Sequence, residues 1–157
     1  MILDERTEFA DAVSVAAAAG TALVGDVIDL SVARNLGAGV KPIYLVISVA
    51  TEIITAGAAG GIEFILASDA QAAIATDGTA TYHFVSRVFV TDDAAANDAE
   101  LNAGGVPVCI PLPGEGRPYE RFLGILVRTS TTTTTAGAIN AFLTMNPKQW
   151  KALADAI

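Results

Sequence analysis

The chain is poor in most of the groups that carry protein chemistry. Among its 157 residues there is one His, one Cys, one Trp and three Tyr. A single Cys excludes an intrachain disulfide framework and a zinc knuckle. A single His excludes a metal cage built from several imidazoles. Positive charge is scarce as well: nine Lys and Arg stand against seventeen Asp and Glu, for a formal charge of −8 and a pI near 4.4. Phosphate backbones need clustered cations, so nucleic acid is not an expected partner. No apolar stretch approaches the ~18 residues of a membrane span, so no membrane is expected either. The N-terminus, Met1-Ile2-Leu3-Asp4-Glu5-Arg6-Thr7-Glu8, opens mostly acidic. A secretory signal opens basic and turns apolar, so synthesis in the cytoplasm is expected. The lone Cys109, inside Val106-Pro107-Val108-Cys109-Ile110, reads as a small buried hydrophobe.

What the chain does have is alanine and short β-type segments. Thirty alanines inflate the hydrophobic fraction of 52 %. The length suits one domain, 1–157, with an N-terminal arm over about residues 1–20 and a short C-terminal segment over about 147–157. Ala22 to Val32 alternates, with Val27, Asp29 and Ser31 on one side and Ile28, Leu30 and Val32 on the other. Ile43 to Val49 is apolar on both faces, so it is either central in a sandwich or covered by another chain. Ile62, Phe64 and Leu66 alternate with a wet Glu63. Asp69 to Ala75 suits a single helical turn, since Ala and Gln favour helix and Ser68 or Asp69 can cap it. Thr79 to Val90 is the longest strand candidate, with Tyr82, Phe84, Val88 and Val90 facing the core and Thr79, Thr81, His83 and Arg87 on a polar side. Asp92 to Gly105 reads as an exposed loop. Val106 to Leu112 reads as an edge strand, because Pro107 and Pro111 cannot donate to a ladder. Phe122 to Thr129 and Gly137 to Met145 read as a hairpin with Thr131–Thr135 at its tip or edge, and Pro147 to Ile157 as a short helix. The expected fold is all-β: a two-sheet antiparallel sandwich, jelly-roll-like, with at most short helical turns.

The search for a reacting constellation fails. His83 lacks a Gly-x-Ser-x-Gly elbow to serve, and its strand parity makes it a polar-face residue. Asp92-Asp93 and Asp98-Glu100 are loop carboxylates with no aromatic platform near and no Asp-x-Asp-x-Asp-Gly spacing. Gly57 to Gly61 has no Gly-Lys-Ser/Thr and no helix after it, so it cradles no phosphate. Glu115 with Arg117 and Glu120 with Arg121 read as loop-fixing surface pairs. No catalytic residue, cofactor or metal is therefore expected. A skin of Ala, Thr, Ser and Gly is cheap to desolvate against a partner, because few charges lose water. Ile2, Leu3, Phe9, Tyr44 and Trp150 are the expected contact residues, as apolar or aromatic anchors.

Several stretches taken in order carry a resemblance. Val27-Ile28-Asp29-Leu30, Arg34-Asn35-Leu36-Gly37-Ala38-Gly39 and Pro42-Ile43-Tyr44-Leu45-Val46-Ile47 come first. Ile110-Pro111-Leu112-Pro113-Gly114, Tyr119-Glu120-Arg121-Phe122-Leu123-Gly124, Thr135-Ala136-Gly137 and Ala141-Phe142-Leu143-Thr144 follow. The set resembles the Bbp16-like family of tailed-phage capsid cement proteins. The resemblance implies a jelly-roll-like structural protein on the outer surface of a bacteriophage virion capsid. It implies the major capsid protein as partner, bridging of neighbouring capsomers, and self-association as a homodimer. A β-sandwich module binding a carbohydrate or receptor on a virion is the alternative, disfavoured by the few exposed-type aromatics.

Overall fold

The computed structural model describes residues 5–37, 39, 41–55, 60–92, 97–114 and 116–147. Among them run nine strands: β1 (Glu8–Ser14), β2 (Gly20–Asp29), β3 (Tyr44–Thr55), β4 (Gly60–Asp69), β5 (Thr81–Val85), β6 (Phe89–Thr91), β7 (Val108–Pro111), β8 (Phe122–Ser130) and β9 (Thr134–Thr144). One sheet has the order β1-β9-β3-β7, the other β2-β8-β4-β5, with β6 continuing beside β4. Every pairing is antiparallel. The chain crosses between sheets from β1 to β2, β2 to β3, β3 to β4, β6 to β7, β7 to β8 and β8 to β9. This is the strand order of a jelly roll, and the sandwich is all-β as its alternating segments predict.

The main core lies between the sheets. Phe9, Leu45, Ile47, Phe64, Leu123 and Ile139 are all at most 1 % exposed there. Burying each such side chain stabilises the fold by about 1.5–3 kcal/mol. Val46 and Ser48, at the alternate positions of β3, are also closed off by the chain itself. The two-sided apolar run is thus the inside of a sheet, held between β9 and β7.

A second, smaller core covers the outer face of the β2-β8-β4-β5 sheet. Ile65, Ala67 and Leu126 meet Ile74 and Ala80 from the loop after β4. That loop contains no helix. The Asp69 carboxylate accepts the amides of Gln71 (3.1 Å) and Ala75 (3.1 Å), and these bonds curl the backbone so that Ile74 plugs onto the sheet. The helical turn expected from Asp69 to Ala75 is therefore corrected: burial of one Ile outweighs a weak local propensity.

Three further expectations change. The strand expected from Thr79 to Val90 breaks at Ser86. Phe64 donates its amide to the Ser86 hydroxyl (2.9 Å), so a side chain stands in for a ladder carbonyl. Beyond the break the parity flips: Phe89 is buried, while Val88 and Val90 are exposed. Tyr82 packs on the second core, and of the four expected core residues only Phe84 packs on the main one. Second, β8 and β9 form no hairpin, since they lie in different sheets. Residues 131–133 carry the chain across, with Thr131 at φ 68° and the Thr134 amide bonded to the Ala17 carbonyl at 3.0 Å. Third, Cys109 is exposed. Val108 takes the inward parity of β7, so the thiol faces outward.

All four sheet edges are irregular among the described residues. β1 slips register twice and places Ala12 at φ 47°. β2 bulges between Val24 and Ile28, where Gly25 sits at φ 69° against the Phe9 carbonyl, which a Cβ would strike. β5 and β6 are broken at Ser86, and β7 is four residues long, flanked by Pro107 and ending at Pro111. The edge position inferred for β7 from its prolines is observed. Such edges do not template another chain's strand.

Candidate functional site

The strand directions bring the β2–β3 and β7–β8 connections to one end of the sandwich, and there they interlock. Arg34 and Tyr119 exchange backbone hydrogen bonds of 3.0 and 3.1 Å. The Leu30 amide donates to the Arg121 carbonyl (2.7 Å) and the Leu112 amide to the Ile43 carbonyl (2.7 Å). Asn35 Nδ2 donates to the Gly114 carbonyl at 2.9 Å. Gly37 lies so close that a Cβ would meet the Pro113 carbonyl oxygen and come 2.5 Å from the Gly114 nitrogen and Cα. Only a residue without a side chain allows that approach. The Tyr119 hydroxyl donates to the Pro113 carbonyl (2.9 Å), closing the β7–β8 loop on itself. Two segments far apart in sequence thus make one rigid platform.

Behind the platform sits a part-buried polar cluster. His83 stacks on Tyr119 with ring centroids 4.0 Å apart. Its Nε2 is 2.7 Å from the Ser68 hydroxyl. The Ser68 oxygen accepts the Glu120 amide at 3.0 Å, which leaves its proton for Nε2 of a neutral imidazole. Thr81 donates to Glu120 Oε1 at 2.6 Å. Burial holds the His83 pKa below its usual 6.5, with the Glu120 charge pulling the other way. Burial also pushes the Tyr119 hydroxyl up to about 12. A Ser–His contact invites comparison with an acyl-transfer site. Here Ser68 is 0 % exposed, and no substrate carbonyl can approach its oxygen. The cluster bolts β4 and β5 to the platform. His83 is not simply a wet polar-face residue: its ring is half-buried against Tyr119, a partner brought from a strand end that parity along one strand cannot reveal.

Around the platform the charges sort themselves. Arg121 grips Asp29 through both carboxylate oxygens, at 3.0 and 2.8 Å. Ser31 donates its amide to the same carboxylate (2.7 Å), and together these bonds hold the Asp29 pKa down at about 2. The pairing expected between Glu120 and Arg121 is corrected: Glu120 turns inward to Thr81 and Arg121 reaches across to β2. Glu115 lies outside the described residues.

The expected contact residues part company. Phe9 is 1 % exposed in the main core, so its ring has no surface to offer. Tyr44 is half-buried at the start of β3. Ile2, Leu3 and Trp150, with most of the expected C-terminal helix, lie outside the described residues. The platform residues Arg34, Asn35, Gly37 and Tyr119 were not among the expected contacts. Their signal was present, since the stretches that carry the family resemblance are the ones that interlock here.

Elsewhere, a hollow of about 380 Å³ between β1 and β2 is lined by Glu8, Phe9, Ala10, Asp11, Val13 and Asp26. Its lining has carboxylates but no Ser, Thr, Cys, His, Lys or Arg among those residues. Among the described residues no three His, Cys, Asp or Glu side chains gather as a metal site.

Compared with known proteins, the chain matches the model of the Bbp16 family over residues 9–143. It therefore belongs to that family. No curated protein matches it.

Proposed function

We propose that this member of the Bbp16 family is a capsid cement, or decoration, protein of a tailed bacteriophage. In this reading it is made in the host cytoplasm, binds the outer surface of the head as a homodimer, and clamps neighbouring major capsid protein subunits. The observation that carries the reading is the family match across 9–143, taken with the cement role that the sequence resemblance implies. The chain's physics supports it. An acidic protein is repelled by packaged DNA, which suits an outer position. Irregular edges disfavour edge-to-edge aggregation before the protein meets its shell. Binding only to the assembled shell stabilises the shell by mass action, and several contacts per molecule let each be weak.

The test is the thermal stability of heads purified with and without this protein. Heads that lack it are expected to release DNA at a lower temperature, and adding the purified protein is expected to restore the difference. Identical release curves with and without it would overturn the reading.

A further inference from the structure

Seven Lys and Arg lie among the described residues, and they fall into two groups. Arg87 is bonded to Asp98 (2.8 Å) and Glu100 (3.3 Å), Arg121 to Asp29 (2.8 Å) and Arg128 to Glu63 (3.0 Å). Arg6 is also engaged. Arg34, Lys41 and Arg117 remain, all three exposed and without a side-chain partner. All three stand on the interlocked loops. Residues 29–43 and 112–121 hold Arg34, Lys41, Arg117 and Arg121 against Asp29, Glu115 and Glu120, a formal +1 in a chain of −8. The other residues then sum to −9.

This concentration has a mechanical base. The loops are tied by the Arg34–Tyr119 bridge and by the close approach at Gly37, so Arg34 is presented from a fixed backbone, with Lys41 and Arg117 further along the same two loops. Pro42 and Pro118 stiffen the same loops. Val32, 58 % exposed, adds apolar area beside Arg34. The sheet edges offer no regular strand to extend, so recognition by strand addition is disfavoured.

We infer that this loop platform, through Arg34, Lys41 and Arg117, is the surface by which the protein docks on a carboxylate-rich protein face. The inference rests on the cement reading, and it names the docking surface and the charge of what it meets. An acidic face repels the −9 body and attracts the +1 platform with its three unpaired cations, so charge favours a platform-first approach. Three cations on an acidic chain are too few for a phosphate backbone, which leaves a protein face as the occupant.

The test uses heads purified from particles lacking this protein, titrated with the full-length chain. The probes are wild type, R34E/K41E/R117E and, in case reversal disturbs folding, R34Q/K41Q/R117Q. Folding of each is checked by circular dichroism. Wild type is expected to saturate the heads and to weaken as salt rises. The variants are expected to need about tenfold or more protein for half-saturation. Carbodiimide is expected to join Lys41 to an Asp or Glu of the shell protein. Wild type and folded variants binding alike would overturn the platform assignment while the cement reading stands. Failure of wild type itself to bind would overturn the cement reading, and this inference with it.

Discussion

Replacing Gly37 by Ala tests whether the platform is built as described. The new Cβ would meet three backbone atoms of Pro113 and Gly114, two of them at 2.5 Å. Ordinary contact begins near 3.4 Å, and backbone atoms cannot rotate aside as a side chain can. The loops must therefore separate by about an ångström, at an overpacking cost of about 1–3 kcal/mol. Separation also strains the Asn35–Gly114 hydrogen bond, worth about 1 kcal/mol. The sum, about 2–4 kcal/mol, lowers Tm by about 5–15 °C for a chain of this size. Gly39 supplies the control: among the described residues, a Cβ there meets only the Lys41 carbonyl oxygen, at 3.4 Å. Calorimetry of Gly37→Ala, Gly39→Ala and wild type measures the difference. Amide exchange at Arg34 and Tyr119 is expected to speed up in the first variant alone. A Gly37→Ala protein that melts with wild type and keeps both amides protected would refute the interlocked platform.

Other consequences are as direct. The lone imidazole of His83 can be titrated by NMR without overlap, and its midpoint is expected below 6.5, so a midpoint at or above that value contradicts its burial. Because the folded pKa is depressed, the unfolded chain takes up the proton first. Stability is then expected to fall as pH drops below about 6.5, and this dependence is expected to shrink in His83→Gln. Ser68→Ala strips partners from the Glu120 amide and from His83, and is expected to cost about 1–3 kcal/mol in denaturant unfolding, with no loss if the cluster is ornamental. Ile74→Ala empties the small core on the outer sheet face and is expected to cost about 2–4 kcal/mol by the same assay. Cys109, exposed on β7, is expected to react with a thiol reagent in the native protein without denaturant, and a silent thiol would place it under cover.

Much of the architecture was legible because period-2 patterning marks the inward face of a strand: Ile62, Phe64 and Leu66 point into the main core, and the prolines of β7 mark a sheet edge. The wet opposite face expected from Glu63 is not observed, since Ile65 and Ala67 are buried in the second core and Glu63 pairs with Arg128. The misreadings share a cause: each turns on a contact between residues distant in sequence. Ser86 reads as an ordinary strand residue until its hydroxyl is seen to bond the Phe64 amide. A threonine run between two strands looks the same whether they pair or cross to opposite sheets. One Ile among alanines gives no hint that it plugs a second core. The platform was half legible. Asn35-x-Gly37 and the Tyr119-Glu120-Arg121 stretch were visible as motifs, but nothing local says that they lock together.

A cement role requires stoichiometric attachment to an assembled shell. Quantitative mass spectrometry of gradient-purified particles, counting this chain against the major capsid protein, measures that attachment. A fixed ratio between the two, persisting through repeated purification, is expected. Trace or variable amounts, or complete absence from particles, would contradict it.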